Sequence, residues 1–435
     1  DFAPLGDRLR SAAGRLAAVP GSLETARRSH DGMPRVHLET AIVQFTGTRT
    51  LLATQLERSL AEEPSLRREV EPVRDRAVEA LEEHLEWLRG QLDTADRDPR
   101  LGAAAFSRKL ALTLDTSIDA DALLARAESD LDRLQELVDE TAARLDGGHP
   151  DGRVRRVLDR LAADGHVDND SIVGLCVEAL SETTDFVREH DLVTVYDDPV
   201  EIIVMPEIHR GVAVAYCDPP GPLETSPLPT YFAVSPTPED WAEERVRSFF
   251  REYNAHMLAN LTVHEAMPGH VLQLAHSARY AAGSDRTAVR QALWSGPFVE
   301  GWAVYAEELM VEHGYRAAAG LNDALRMQQL KMALRMTINA VLDVRVHAHG
   351  MTEDEAMALM TGPGHQEEGE AAGKWRRALL TCAQLSTYYV GYVEVRDLAR
   401  DLAAARPSAS LRERHDAMLA HGSPPPRHLR RLLDL

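Results

Sequence analysis

The sequence has few cysteines and no long apolar run, and each scarcity argues against a class of protein. Its 435 residues include only three cysteines, which lie far apart and form no CxxC pair. Neither a disulfide framework nor a thiolate zinc site is therefore indicated, and we expect a cytoplasmic protein. No apolar segment approaches the roughly 20 residues that cross a bilayer, so we expect no membrane association.

The chain also lacks an excess of positive charge. Its formal net charge is -21, which argues against nucleic acid as a partner because phosphate binding requires a basic face. The negative charge is spread along the chain, as in a solvated acidic surface. Hydrophobic residues make up 44% and charged residues 27%, and this balance is typical of a globular protein with a substantial core.

Helical periodicity dominates the first part of the chain. Residues 65–92 and 119–145 carry apolar residues at three- and four-residue spacing among glutamates and arginines. Turn-forming clusters separate such segments. We therefore expect residues 1–195 to form an N-terminal helical lobe and residues 196–435 to form a second lobe that contains the chemistry.

The segment after residue 193 is rich in β-branched residues and proline, which predicts short strands over residues 201–206, 211–216 and 230–234. Helices resume after Pro238, and Thr352 with Glu355 forms a capping-box pattern. The predicted fold is mainly α, a two-lobed helical body with a small β-sheet beside the cleft of the functional site.

The most informative stretch runs from His264 through Glu265 to His270. In the familiar HExxH zinc motif, histidines four residues apart share one helix face, and the glutamate is the base. Six residues on an ideal helix place two side chains about 120° apart, so an unbroken helix cannot chelate one ion here. Pro268 and Gly269 predict a kink or a widened turn that brings His270 back beside His264.

A third ligand is expected to be a carboxylate or an imidazole. Glu300 is the best candidate, because it begins a predicted helix among apolar neighbours, where a carboxylate needs a positive partner. His256 and His276 flank the motif and are alternative ligands, although an ordinary surface or packed histidine is the favoured interpretation of His276. Glu307 and Glu308 are candidates to orient the site, although a solvated helix face explains at least one of them.

These motifs resemble a known bacterial family. The run His264-Glu-Ala-Met-Pro-Gly-His270, followed by Glu300-Gly-Trp-Ala303, closely resembles the family called domain of unknown function 885. Its members are described as zinc metallopeptidases and look similar to the gluzincins, and the resemblance extends to about Tyr392. It implies a Zn2+ cofactor held by His264, His270 and Glu300, with Glu265 as the base.

Two further segments match that family and two positions depart from it. The run Asp343-Val-Arg-Val-His347 resembles its Asp-x-x-x-His helix, and Tyr388-Tyr-Val-Gly391 resembles its Tyr-x-x-Gly segment. Asn339 replaces a usual arginine, and Val271 replaces a second histidine. We expect these departures to alter substrate contacts and to leave the metal site intact.

The expected reaction is hydrolysis of a peptide bond in a small-molecule or short-peptide substrate. Zinc would polarise a water and the substrate carbonyl, and Glu265 would move the proton. His347 and Tyr388 are candidate donors to the oxyanion, with Asp343 placed to orient His347. A packed histidine and an aromatic cluster are the structural alternatives for these two residues.

Two other functions fit the same residues. A zinc enzyme of this kind can act on a non-peptide amide or a biosynthetic intermediate. A non-catalytic binding protein with a degenerate site is the second alternative, and the intact Glu265 argues against it.

Overall fold

The computed structural model describes residues 3–206, 210, 213–221, 224, 228–239, 241–281 and 293–435. Contacts within the chain divide it into two compact units, Asp1–Leu101 and Gly102–Leu435. The boundary that the sequence suggested near residue 195 falls inside the second unit. The composition changes there because the strands begin.

The first unit consists of long helices that bury one leucine-rich face each. The helices are α1 (Leu5–Ser29), α2 (Arg35–Glu62) and α3 (Arg67–Gln91), with short 3-10 turns at Pro64–Leu66 and Leu92–Thr94. Leu16, Leu52 and Leu81 meet in one apolar cluster of this unit. The three- and four-residue spacing of the apolar positions forms these faces.

The second unit contains the remaining helices. They are α4 (Ala103–Leu114), α5 (Ala120–Leu145), α6 (Arg153–Asp164), α7 (Ile172–Glu189), α8 (Glu243–Glu252), α9 (Ala255–Glu265), α10 (His270–Ala281), α11 (Gly296–Glu312), α12 (Asn322–His349), α13 (Glu353–Thr361), α14 (Glu368–Leu380), α15 (Thr387–Ala405), α16 (Leu411–Leu419) and α17 (Pro426–Leu432). The predicted capping box is present, because the Thr352 side chain accepts from the N–H of Glu355 at the start of α13.

A small sheet lies in the second unit. Strand β3 (Thr230–Val234) is central, pairing parallel with β1 (Val200–Val204) and antiparallel with β2 (Ala215–Asp218). The first and third predicted strands are confirmed. The second begins at Ala215, and residues 211 and 212 of its predicted range lie outside the described residues. This order leaves β2 at an edge of the sheet.

Close packing between α11 and α15 depends on two glycines. A Cβ on Gly301 would lie 2.2 Å from the carbonyl carbon of Gly391, and a Cβ on Gly391 would lie 2.0 Å from the carbonyl oxygen of Pro297. Since real atoms do not approach so closely, only glycine fits at either position. The contact places the first turns of α11, which carry Glu300, against α15.

The predicted fold class, mainly helical with a small sheet, is confirmed. Over the part of the chain that the structure describes, every helix is too short or too polar to traverse a lipid bilayer.

Candidate metal centre

A wide turn separates the two motif histidines. Helix α9 ends at Glu265, and α10 begins at His270. Between them, the N–H of Gly269 donates to the carbonyl of Val263 at 3.0 Å, six residues back rather than the four of a regular helix. The turn therefore absorbs two extra residues. The predicted distortion is present, and it amounts to a break between two helices.

Two contacts hold this turn in place. A Cβ on Gly269 would lie 1.8 Å from the carbonyl oxygen of His264, so the turn closes only around a glycine. The indole Nε1 of Trp302 donates to the carbonyl oxygen of Pro268 at 2.8 Å. Trp302 lies two residues after Glu300 on α11, and this hydrogen bond links the turn to the helix that carries the carboxylate.

His264, His270 and Glu300 converge. One ligand atom from each lies within 4.8 Å of the others. The Oε2 atom of Glu300 is 3.6 Å from Nε2 of His264 and 3.8 Å from Nε2 of His270. Tetrahedral zinc with ligands at about 2.0–2.1 Å separates its donor atoms by about 3.4 Å. The residue types and these two separations are compatible with a zinc ion, and we call this group, a candidate for metal binding, the metal centre.

Glu307 and Asn260 orient His264. The Nδ1 atom of His264 donates to Oε1 of Glu307 at 2.7 Å, and Nδ2 of Asn260 donates to Oε2 of the same carboxylate at 2.6 Å. Glu307 is only 2% exposed. When a buried carboxylate accepts from Nδ1–H, the lone pair of Nε2 is free to bind a metal ion. A metal-binding histidine is usually supported in this way.

The charges around the two histidines favour a cation. Burial opposes protonation of His264, yet the carboxylates of Glu300 and Glu307 raise its pKa well above the ordinary value. Burial, together with the charge on His264, lowers the pKa of His270 to about 4, so its imidazole is neutral and able to act as a ligand. The carboxylates therefore attract a positive charge to this point.

Glu265 lies beside the metal centre in a less polar setting. Burial, assisted by the charges of Glu300 and Glu307, raises the pKa of Glu265 to about 7. The charge of His264 and a hydrogen bond from the backbone N–H of Cys217 in β2 oppose this rise. A carboxyl group with this pKa can both accept and return a proton near neutral pH.

The metal centre opens into a cavity of about 1810 Å³ within the second unit. Its walls are single faces of several elements: Asn260 and His264 of α9, Glu300 and Glu307 of α11, Arg335 and Asn339 of α12, Lys374 and Arg377 of α14, and residues 215–217 of β2. These pairs recur at three, four or seven residues along their helices, as expected for side chains that share a face.

Tyr388 lines this cavity, as a donor to the reaction would. Asp343 and His347 do not line it. Asp343 is fully buried and accepts from the N–H and hydroxyl of Ser386 at 3.0 and 2.7 Å. Nε2 of His347 is within 2.9 Å of the carbonyl oxygens of Ala378 and Thr381, so it serves as a donor to backbone. In this position His347 is not placed to donate to an oxyanion in the cavity. The predicted role of Asp343, to orient His347 toward the substrate, is therefore not supported by its position.

The other candidate ligands lie elsewhere. His256 is buried outside the cavity lining, and His276 bonds through Nε2 to the carbonyl of Thr194 at 2.8 Å. Glu308 accepts from the hydroxyl of Tyr392 at 2.8 Å. Of the two adjacent glutamates, Glu307 is thus the one that contacts the metal centre.

Several residues of the site were not predicted from the sequence. Asn260 lies one turn before His264, and that spacing alone was a usable signal. The backbone N–H of Cys217 and the indole of Trp302 carry no such signal, because their partners are brought by tertiary packing. The cationic side chains of α12 and α14 were also missed.

Comparison with known proteins gives a family and no activity. The family model described as "Bacterial protein of unknown function (DUF885)" matches residues 1–433. A structure from Shewanella oneidensis is 30% identical, with a TM-score of 0.84, covering 100% of this chain and 80% of its own. A structure from Colwellia psychrerythraea is 17% identical, with a TM-score of 0.76, covering 92% of this chain and 70% of its own.

Both structures are named "putative lipoprotein", the first with the words "of unknown function". A search of curated proteins found no match. The match over nearly the whole length shows that this chain belongs to the family of bacterial proteins of unknown function DUF885.

Proposed function

We propose that this protein is a zinc-dependent hydrolase of the metallopeptidase type that cleaves peptide bonds in short peptides. The observation that carries the proposal is the convergence of His264, His270 and Glu300 beside Glu265, whose pKa is about 7. Two histidines, a carboxylate and an adjacent general base form the residue set of gluzincin-like catalysis.

The residues of the chain divide the work among them. A bound zinc ion supplies Lewis-acid polarisation of a water molecule and of the substrate carbonyl. His264, His270 and Glu300 would hold it, and Glu307 would fix the tautomer of His264. Glu265 accepts the proton of the attacking water and returns it to the leaving nitrogen.

Tyr388 is the proposed donor to the developing oxyanion, because its side chain lines the cavity. His347 receives no part in this mechanism, since its Nε2 atom bonds to backbone carbonyls.

Two features favour a peptide over other amides. The cavity of about 1810 Å³ exceeds the roughly 300–1,000 Å³ of small-molecule sites, which leaves room for several residues. Residues 215–217 of the edge strand β2 line it. Edge strands bind extended peptide backbones by adding a strand.

We propose the cytoplasm as the location, because Cys176, Cys217 and Cys382 are all free thiols. The lipoprotein names belong to the two structural relatives and are not transferred to this chain.

Metal analysis and a mixed-peptide digest, performed on the same preparations, test the proposal. Wild-type protein and Glu265→Gln are expected to bind about one zinc, and His270→Ala to bind none. Only wild type is expected to cut peptides. If wild type binds zinc but cuts no peptide, a non-peptide amide becomes the expected substrate. The absence of zinc from wild type would refute the metal assignment.

A further inference from the structure

Lys374 is a buried lysine in the wall of the cavity. It is 8% exposed and lines the cavity from α14. Among the residues that the structure describes, no carboxylate lies within ion-pair distance of its ammonium group. An unpaired buried charge costs several kcal/mol in real proteins, so its presence calls for a partner that arrives from outside the chain.

The neighbouring acidic groups are already paired. Glu370 forms an ion pair with Arg335, and Glu252 lies 2.6 Å from Nζ of Lys331 and 3.7 Å from Arg335. Two cations thus face two carboxylates, and their charges balance. Lys374 is left outside this group.

Arg377 adds a second cationic side chain that, among the described residues, forms no ion pair. Its Nε and Nη2 atoms donate to the neutral Oε1 of Gln384 at 3.1 and 2.8 Å, which positions the guanidinium without neutralising it. It lies three residues after Lys374 on the same helix and also lines the cavity. Glu300 of the metal centre lines the same cavity.

The electrostatics of Lys374 agree with this geometry. Burial, followed by the charges of Arg335 and Arg377, lowers the pKa of Lys374 well below its ordinary value. An anion between Lys374 and Arg377 would offset the cost of burying the Lys374 ammonium group and reduce the repulsion between the two cations. A carboxylate matches the planar guanidinium and the ammonium together.

We propose that Lys374 and Arg377 form a subsite that binds a carboxylate of the substrate inside the cavity. The identity of the substrate as a peptide rests on the proposed function above. The carboxylate has two possible sources in a peptide, namely the C-terminus or an acidic side chain. The first source would direct cleavage to bonds near the C-terminus.

Calorimetric binding to Glu265→Gln, which is expected to bind without cutting, tests the subsite. Three probes distinguish the sources: Ala-Ala-Ala as the free acid, the same peptide amidated, and amidated Ala-Ala-Glu. We expect one carboxylate-bearing probe to bind about 10- to 100-fold more tightly than amidated Ala-Ala-Ala, as for hydrogen bonds to charged groups. A gain with the free acid identifies the C-terminus, and a gain with amidated Ala-Ala-Glu identifies a side chain.

The matched variants are Lys374→Met and Lys109→Met, each added to Glu265→Gln. Lys109 is exposed and is not among the residues that line the cavity. The carboxylate gain should disappear in Lys374→Met and persist in Lys109→Met, with unfolding temperatures confirming that both variants fold. Equal binding of all three probes, or a full gain in Lys374→Met, would overturn the proposal. Hydrolysis by protein with native Glu265 is assayed in parallel, so loss of the peptidase function and loss of the subsite are separate results.

Discussion

The Oε1 atom of Glu307 lies 2.7 Å from Nδ1 of His264, while the other oxygen of the same carboxylate accepts from Asn260. Both oxygens are therefore engaged, and the ring of His264 is fixed with Nε2 toward Glu300. Glu307→Gln replaces one acceptor oxygen with a donor. We expect zinc affinity to fall about 10- to 100-fold, which is the usual effect of losing such a support.

The neighbouring Glu308 provides the control for this experiment. Its carboxylate bonds to Tyr392 and lies 3.4 Å from Arg396, away from the metal centre. Competition titration against a chromogenic chelator should give Glu308→Gln the affinity of wild type. Equal affinities for Glu307→Gln and Glu308→Gln would remove Glu307 from the metal centre.

The contact between Gly301 and Gly391 predicts a stability effect. Gly391→Ala would place a methyl group 2.0 Å from the carbonyl oxygen of Pro297, so α11 and α15 must separate. Overpacking of this kind costs about 1–3 kcal/mol or more in the free energy of unfolding. Gly174→Ala is the control, because nothing lies within 4 Å of a Cβ at that exposed position of α7. Urea unfolding measures both, and an unchanged Gly391→Ala would show that the helices can shift apart freely.

Local rules predicted the parts of the site that depend on neighbours along the chain. The six-residue spacing of the histidines, with Pro268 and Gly269 between them, required a break that the structure contains. The apolar setting of Glu300 marked it as a carboxylate in need of a cation, and it lies beside both histidines.

Local rules failed where partners come from distant segments. An Asp-x-x-x-His pattern is the same whether its histidine faces a cavity or a backbone carbonyl. The His347 ring faces backbone because the carbonyl oxygens of Ala378 and Thr381 accept from its Nε2 atom. The unpaired state of Lys374 likewise depends on which cations Glu252 and Glu370 contact. Neither fact has a periodic signature in the sequence.

Lys374 also predicts a pH-dependent change in stability. The folded state lowers its pKa, chiefly by burial and then by the charges of Arg335 and Arg377, whereas the unfolded chain keeps the ordinary value near 10.4. Between the two values the unfolded state binds more protons, so stability rises with pH in that window. Lys374→Met removes the penalty and should stabilise the protein by about 1–4 kcal/mol below the folded-state pKa.

The gain should shrink as pH rises toward about 10. Chemical denaturation of wild type, Lys374→Met and Lys109→Met at several pH values measures it, with Lys109→Met expected to match wild type. A Lys374→Met protein less stable than wild type at neutral pH would show that the ammonium group is well solvated or paired in solution.

The hydrogen bond from Trp302 to the carbonyl of Pro268 predicts that the indole supports the wide turn. Trp302→Phe keeps an aromatic ring but leaves this buried carbonyl without its donor, which costs about 1–3 kcal/mol. Because His270 lies two residues after Pro268, directly after the turn, zinc affinity should fall together with stability. The control is Tyr305→Phe, on the same helix as Trp302, which removes a hydroxyl that is hydrogen-bonded to His415. This variant should change stability while leaving zinc affinity close to wild type. If zinc affinity is unchanged in Trp302→Phe, the glycine and the backbone bonds of the turn are sufficient to place His270.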